Sequence, residues 1–183
     1  MSRQKISIGV IGSGDPVSTE IESLAYETGK YIANNGAVLV CGGRGGVMEA
    51  ASSGAAENGG SVLGILPSDS KADANPWVDI ALPSGFGIGR NALVVQASDA
   101  IIAFPGSYGT LSEIGLALNC KKTVVYFPGT WNLKKIAAVD SAYFIEVHDA
   151  REAIGCSLNA VAARAAAGPI IEGTTKNCRS KIT

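Results

Sequence analysis

Residues Asp99 to Asn119 read DAIIAFPGSYGTLSEIGLALN. Ala100 to Phe104 is an apolar run of the length of a strand buried on both faces. Pro105, Gly106 and Gly109 then supply turn chemistry, and from Thr110 the apolar residues Leu111, Ile114 and Leu118 fall at helical spacing. A strand, a glycine turn and a helix start therefore follow one another within a few residues. Such a turn presents backbone N–H groups at the positive end of a helix dipole, where phosphate is commonly held. The stretch Pro105, Gly106, Ser107, Tyr108, Gly109, Thr110 reads as an anion site. Glu113, one turn further on, adds a negative charge near its mouth. A pure phosphate site gains nothing from that charge, so Glu113 points to recognition of, or chemistry on, the group the phosphate carries.

The same grammar repeats on the N-terminal side. Ile6 to Ile11 reads as a first strand ending in Gly12, Ser13, Gly14. Ser18 or Thr19 caps a helix with the apolar stripe Ile21, Leu24, Ala25, Ile32, Ala33, and Gly36 ends it. Ala37 to Cys41 is a second strand, followed by a second glycine loop, Gly42, Gly43, Arg44, Gly45, Gly46, and a helix over Val47 to Glu57. Ser61 to Leu66 is a third strand. A polar loop leads to an edge strand over Trp77 to Leu82, and Arg90 to Ser98 is a short helix before the central strand. Beyond the central helix, Thr123 to Phe127 and Tyr143 to His148 read as strands, with a short helix between them. Ala150 to Ala167 is an alanine-rich helix whose stripe Ile154, Leu158, Val161, Ala165 either closes the core or meets a second subunit. Residues 1–168 thus form a single Rossmann-like α/β domain, a doubly wound parallel sheet with helices on both faces, and 169–183 a patternless C-terminal tail. In such sheets ligands sit beyond the carboxyl ends of the strands, where strand order reverses. The three glycine loops all lie at carboxyl ends and converge on one crevice.

Composition narrows the chemistry. The 183 residues are 46% hydrophobic and 17% charged with a net charge of -1, which offers no general attraction to nucleic acid or an anionic membrane. Any anion binding is local. The first apolar run is too short and glycine-broken for a signal peptide, and none approaches a membrane span, which points to a cytoplasmic protein. Cys41, Cys120, Cys156 and Cys178 lack paired spacing and read as free thiols; with His148 the only histidine, no metal site is indicated.

Standard nucleotide fingerprints are missing. Gly12-Ser13-Gly14-Asp15-Pro16-Val17 lacks the third glycine of a dinucleotide turn, Cys41 and Gly42 stand where a ribose-binding acid belongs, and no Gly-Lys-Ser/Thr occurs. Pro105-Gly106-Ser107-Tyr108-Gly109, with Asp140 and His148 after it, approximates a nucleophile elbow. That elbow needs a very small residue where Pro105 stands, and it explains neither Arg90 nor Glu113.

Three ordered motifs, Gly42-Gly43-Arg44-Gly45-Gly46-Val47-Met48-Glu49-Ala50, Gly89-Arg90-Asn91 and Pro105-Gly106-Ser107-Tyr108-Gly109-Thr110-Leu111-Ser112-Glu113, resemble those of the Lonely Guy (LOG) superfamily, over about Ile6 to Asp149. Its enzymes are phosphoribohydrolases that release cytokinin bases from nucleoside monophosphates. GGRGGVMEAASSGA, ANPWVDIALPSGFGIGRN and GTLSEIGLAL look closer to the superfamily's molybdenum cofactor carriers, which hold molybdopterin with molybdate without turnover. Arg44-Gly45 replaces the enzymes' Ser-Val, Asn91 their lysine, and Ser107 a loop glycine, whereas Arg90 and Glu113 match their catalytic pair. The resemblance implies a cargo of molybdenum cofactor, or a nucleotide such as AMP or ADP. It also implies a homodimer or homotetramer, with molybdenum enzymes as acceptors of the cofactor. In that reading the loop from Gly106 to Thr110 takes the phosphate, and Arg44 and Arg90 take the remaining oxyanion groups. Simpler roles stand beside these: Ser107 and Thr110 as helix caps, Glu113 as a first-turn acid, and Arg90 paired with Glu113 or Asp99 to hold the crevice's shape.

Overall fold

Apolar runs of four to six residues between helical stripes bury both faces of a strand, and that is how the chain folds over the residues the computed structural model describes, 4–129 and 143–167. Strands β1 (Ser7–Ile11), β2 (Val38–Cys41), β3 (Ser61–Leu66), β4 (Ile80–Pro83), β5 (Ala100–Ala103), β6 (Val124–Tyr126) and β7 (Phe144–Glu146) form one seven-stranded sheet, order β4-β3-β2-β1-β5-β6-β7. Every neighbouring pair is parallel. Among the described residues the helices are α1 (Thr19–Asn34), α2 (Val47–Ala56), α3 (Asn91–Ala97), α4 (Tyr108–Asn119) and α5 (Ala150–Ala167).

Side chains alternate across the sheet and so build two cores. Ile8, Val10, Leu39 and Ile102 pack with α1, α2 and α5, while Ile11, Val40, Ile65 and Ile101 pack with α3 and α4. The chain runs outward from β1 to β4, then returns to β5 beside β1 and runs outward the other way. Strand order therefore reverses between β1 and β5, and the crevice of a doubly wound sheet opens there.

Local signals explain most boundaries. Ser18 caps α1, its hydroxyl accepting from the Ile21 N–H at 3.4 Å, and Gly36 leaves the helix with φ 69°. The edge strand lies later than Trp77 to Leu82, because the Asn75 side chain accepts from the Trp77 N–H (3.1 Å) and its carbonyl from the Val78 N–H (3.3 Å). That turn commits both amides before the sheet begins. Arg90 belongs to a 3-10 turn, Gly87–Arg90, that precedes α3. On α5 the stripe closes the core: Ile154 is buried, Leu158 and Val161 pack against it, and Ala165 is exposed. The short helix expected after Asn132, Asp140, Cys178 and the tail beyond Gly168 lie outside the described residues.

Two packing devices carry testable consequences. Gly54 of α2 lies against the Tyr26 carbonyl of α1, and a Cβ there would overlap that backbone oxygen. Gly155 on α5 has open space around it. In an unhindered helix Gly→Ala gains about 1 kcal/mol, whereas overpacking costs about 1–3 kcal/mol. Gly54→Ala is therefore expected to destabilise the protein by about 1–2 kcal/mol and Gly155→Ala to stabilise it by up to about 1 kcal/mol, read as opposite shifts of the urea midpoint. The second device is Lys122, buried behind the end of α3, whose ammonium donates to the carbonyls of Val95 (2.7 Å), Gln96 (3.0 Å) and Ser98 (2.5 Å). Those carbonyls lie at the C-terminal end of α3, where a helix leaves acceptors without intrahelical partners; that of Val95 also accepts from the Ser98 N–H at 3.3 Å. Lys122→Met withdraws the ammonium from all three and lowers unfolding free energy by about 2–3 kcal/mol, measurable in the same urea titration.

Candidate functional site

The loops after β1, β2 and β5 are joined through their backbones. The Ser13 N–H donates to the Pro105 carbonyl at 3.2 Å, and the Ser13 carbonyl accepts from the Val47 N–H at 3.0 Å. One residue of the first loop thus ties the third loop to the start of α2. Close approach makes the glycines obligatory at two of these points. Gly46 has φ 63° and sits against the Ser13 and Asp15 carbonyls; a Cβ on Gly106 would overlap the Thr110 side chain.

Behind this junction lies a cavity of about 450 Å3. Of the residues expected to form a site, the first loop contributes Gly12 and Gly14 to its wall, and the second Gly42, Arg44 and Gly45. Arg90 and Asn91 come from the approach to α3, and Ser107, Gly109, Thr110 and Glu113 from the β5–α4 turn and α4. Ser13, Gly43, Gly46, Pro105, Gly106 and Tyr108 are not on the wall. Ser13, Gly46, Pro105 and Gly106 form the junction just described, Gly43 is buried with its N–H on the Cys41 sulfur (3.3 Å), and Tyr108 is exposed at the start of α4.

Helix α4 begins at Tyr108, three residues before the apolar stripe opens at Leu111, with Ser107 at its N-cap. The Ser107 side chain makes no capping hydrogen bond, so the capping role does not hold for it. The earlier start also moves Glu113 into the second turn, away from the position where an acid stabilises the helix dipole. Asn91 braces this helix from the side, its amide donating to the Gly109 carbonyl (3.3 Å) and to the Ser112 hydroxyl (3.1 Å).

The charged pair sits on the crevice floor. Arg90 Nη1 lies 3.4 Å from Glu113 Oε1, and the two side chains are 11% and 7% exposed. Asp99 is elsewhere, accepting from the Ser7 N–H at 2.8 Å, so the pairing choice for Arg90 resolves to Glu113. The guanidinium lies against Gly42, where any Cβ would overlap it. Burial pushes the Glu113 carboxyl up to about 7, with Arg90 opposing the rise, and burial lowers the Arg90 pKa. Among the described residues Arg90 Nε is buried without a hydrogen-bond partner. Arg44 is exposed at the rim.

Some contributors were not among the expected site residues. Pro67 after β3, Gly87 and Ile88 of the 3-10 turn, Met48 of α2 and Asp15 of the first loop also line the cavity. Asn75 holds the second loop in place: its N–H donates to the Gly43 carbonyl (2.9 Å) and its amide to the Arg44 carbonyl (3.0 Å). Its Asn-Pro pair, and its place at the head of the segment ANPWVDIALPSGFGIGRN, are the signals that could have marked it. His148 is exposed beyond β7, which β6 separates from β5, so it forms no elbow with Ser107.

Among solved structures, the molybdenum cofactor binding protein of Rippkaea orientalis is 36% identical, with a TM-score of 0.82 over 86% of this chain and 98% of that one. The molybdenum cofactor carrier protein of Chlamydomonas reinhardtii is 34% identical, with a TM-score of 0.78 over 87% and 99%. The rice cytokinin riboside 5'-monophosphate phosphoribohydrolase LOG is 32% identical over 107 residues, 56% of this chain but only 44% of the rice protein. The model of the SLOG cluster4 family, a branch of the LOG-like superfamily, matches residues 5–154. With that match spanning the sheet, all three glycine loops and the Arg90–Glu113 pair, the chain belongs to the SLOG cluster4 family.

Proposed function

We propose that this protein is a carrier of molybdenum cofactor, holding molybdopterin with molybdate in the glycine-loop crevice and releasing it unchanged. The observation that carries the reading is a buried arginine on the wall of the cavity with its bonding capacity largely unspent among the described residues. Among the described residues Arg90 makes one long contact to Glu113 and keeps Nε unpartnered. Backbone N–H groups of the first turn of α4, with the Thr110 side chain beside them, suit a terminal phosphate. Arg44 at the rim and Arg90 on the floor suit the other oxyanion groups, as planar guanidinium forks do. A cavity of about 450 Å3 has room for a tricyclic ligand with a phosphate arm. Likeness to a molybdenum cofactor binding protein and a molybdenum cofactor carrier protein at 34–36% identity supports the same cargo. Molybdenum enzymes are the acceptors this implies.

One observation favours a second reading, an AMP-type phosphoribohydrolase. Glu113, pushed up to about 7, is poised to give a proton to a leaving base while Arg90 steadies developing charge. Against it, Asn91 stands where those enzymes have lysine, and its amide is spent on holding α4.

Purified protein incubated separately with AMP and with molybdenum cofactor decides between them. Stoichiometric cofactor retention without adenine release is expected; adenine release would establish the hydrolase instead. Arg90→Ala combined with Thr110→Ala is expected to reduce retention at least 100-fold, since two charge-assisted contacts of about 1.5–3 kcal/mol each are removed.

The carrier is further proposed to work as a homodimer or homotetramer. Phe86, Ile88 and Tyr108 are 68%, 75% and 76% exposed, large apolar side chains at the surface of the kind a subunit contact covers, and Ile88 also lines the crevice. Light scattering is expected to give a mass at least twice 18.6 kDa, and a monomeric mass removes this assembly.

A further inference from the structure

The Arg90–Glu113 pair is a poor end state for both partners. A guanidinium offers five donors, yet Arg90 makes one hydrogen bond among the described residues, at 3.4 Å, and its buried Nε has none. A buried donor left unpaired carries an uncompensated desolvation penalty, so this arginine is held short of its bonding capacity. Both side chains line the cavity, so an oxyanion entering it meets the guanidinium and the carboxyl together.

The charged and titratable groups around the pair set its response to such an anion. Glu113 faces Arg90 across the cavity floor, Cys41 from the end of β2, Arg44 from the second loop and Asp15 from the first. Burial raises the Cys41 thiol, which is therefore neutral and offers Glu113 no compensation. Arg44 and Asp15 are exposed at the mouth and oppose one another in sign. Arg90 is the cation within contact of Glu113. If an oxyanion engages the guanidinium, the carboxylate loses its partner and gains a negative neighbour in a buried setting.

We propose that an oxyanion captured in the crevice takes Arg90 from Glu113 and that Glu113 binds one proton from solvent in the same event, so that ligand capture is linked to proton uptake. The carboxylate gains one proton and becomes a carboxylic acid, the Arg90 guanidinium keeps its charge and transfers its ion pair from Glu113 to the ligand, and no covalent bond to the ligand changes. The inference rests on reading the crevice as an oxyanion site, and it makes Glu113 the residue that sets when cargo is held. The sign comes from linkage. In the free protein the carboxyl is half protonated near pH 7. With the anion bound its pKa lies higher, so uptake approaches one proton above pH 7 and fades below pH 6. Binding then weakens towards tenfold per unit as pH rises above 7. Release is favoured by alkaline conditions and capture by acidic ones.

The probe is sulfate, which does not itself titrate between pH 6 and 9. The full chain is titrated calorimetrically at pH 6, 7 and 8, each in two buffers of different ionisation heat. Expected are uptake rising towards one proton per sulfate at pH 8 and a dissociation constant that climbs several-fold from pH 7 to 8. In Glu113→Gln both pH effects vanish. Wild-type binding without proton uptake, equal uptake in Glu113→Gln, or no saturable sulfate binding overturns the proposal. The wild-type measurement stands even if the variant fails to fold. Molybdenum cofactor retained with no proton uptake refutes this linkage and leaves the carrier reading intact; sulfate-linked uptake without cofactor retention does the reverse.

Discussion

Two hydrogen bonds of one backbone hold the site together. Ser13 donates to the third loop and accepts from the start of α2, so loops separated by about 30 and 90 residues share a single anchor point at the strand-order reversal. Backbone can approach backbone this closely only where side chains are missing. Gly46 against the Ser13 carbonyl and Gly106 against Thr110 and Gly12 meet that requirement. The high glycine content is therefore a packing condition of the crevice, and a single added methyl at either point would pry the loops apart.

The architecture was readable because buried parallel strands leave an unusually clear trace. Continuous apolar runs such as Ala100 to Phe104, punctuated by glycine, do not occur in half-exposed sheets. The three loops were placed at one crevice for the same reason: carboxyl ends of parallel strands share one edge of the sheet. Boundaries moved where a hydrogen bond outside the local pattern intervened. Asn75 diverted Trp77 and Val78 into a turn, and the start of α4 at Tyr108 was hidden because its first turn is polar and glycine-bearing rather than striped.

What the residues alone left open was the division of labour within the motifs. Glycines 42 to 46 look alike in the sequence, yet Gly42 clears space for the Arg90 guanidinium, Gly43 is buried beneath Asn75, and Gly46 meets Ser13. The choice between a ligand contact, an ion pair with Glu113 and one with Asp99 depends on where Asp99 points. It caps the Ser7 amide at the opposite end of its strand, a contact 92 residues away in sequence that no local pattern can report.

That arrangement bears on why an arginine stands at position 90. A lysine ammonium that reached the same spot would be a compact, strongly hydrated charge, costly to bury beside one distant carboxylate. A guanidinium spreads its charge, slides flat over the bare Gly42 backbone, and stays protonated even though burial lowers its pKa. It can therefore wait, largely buried, with donors unspent among the described residues. The carboxyl opposite has no such tolerance: the same burial brings Glu113 to the edge of neutrality near pH 7. Of the two partners, the base is fixed in charge and the acid is not, so any anion that competes for the pair is answered by a proton at Glu113 rather than by loss of charge from Arg90.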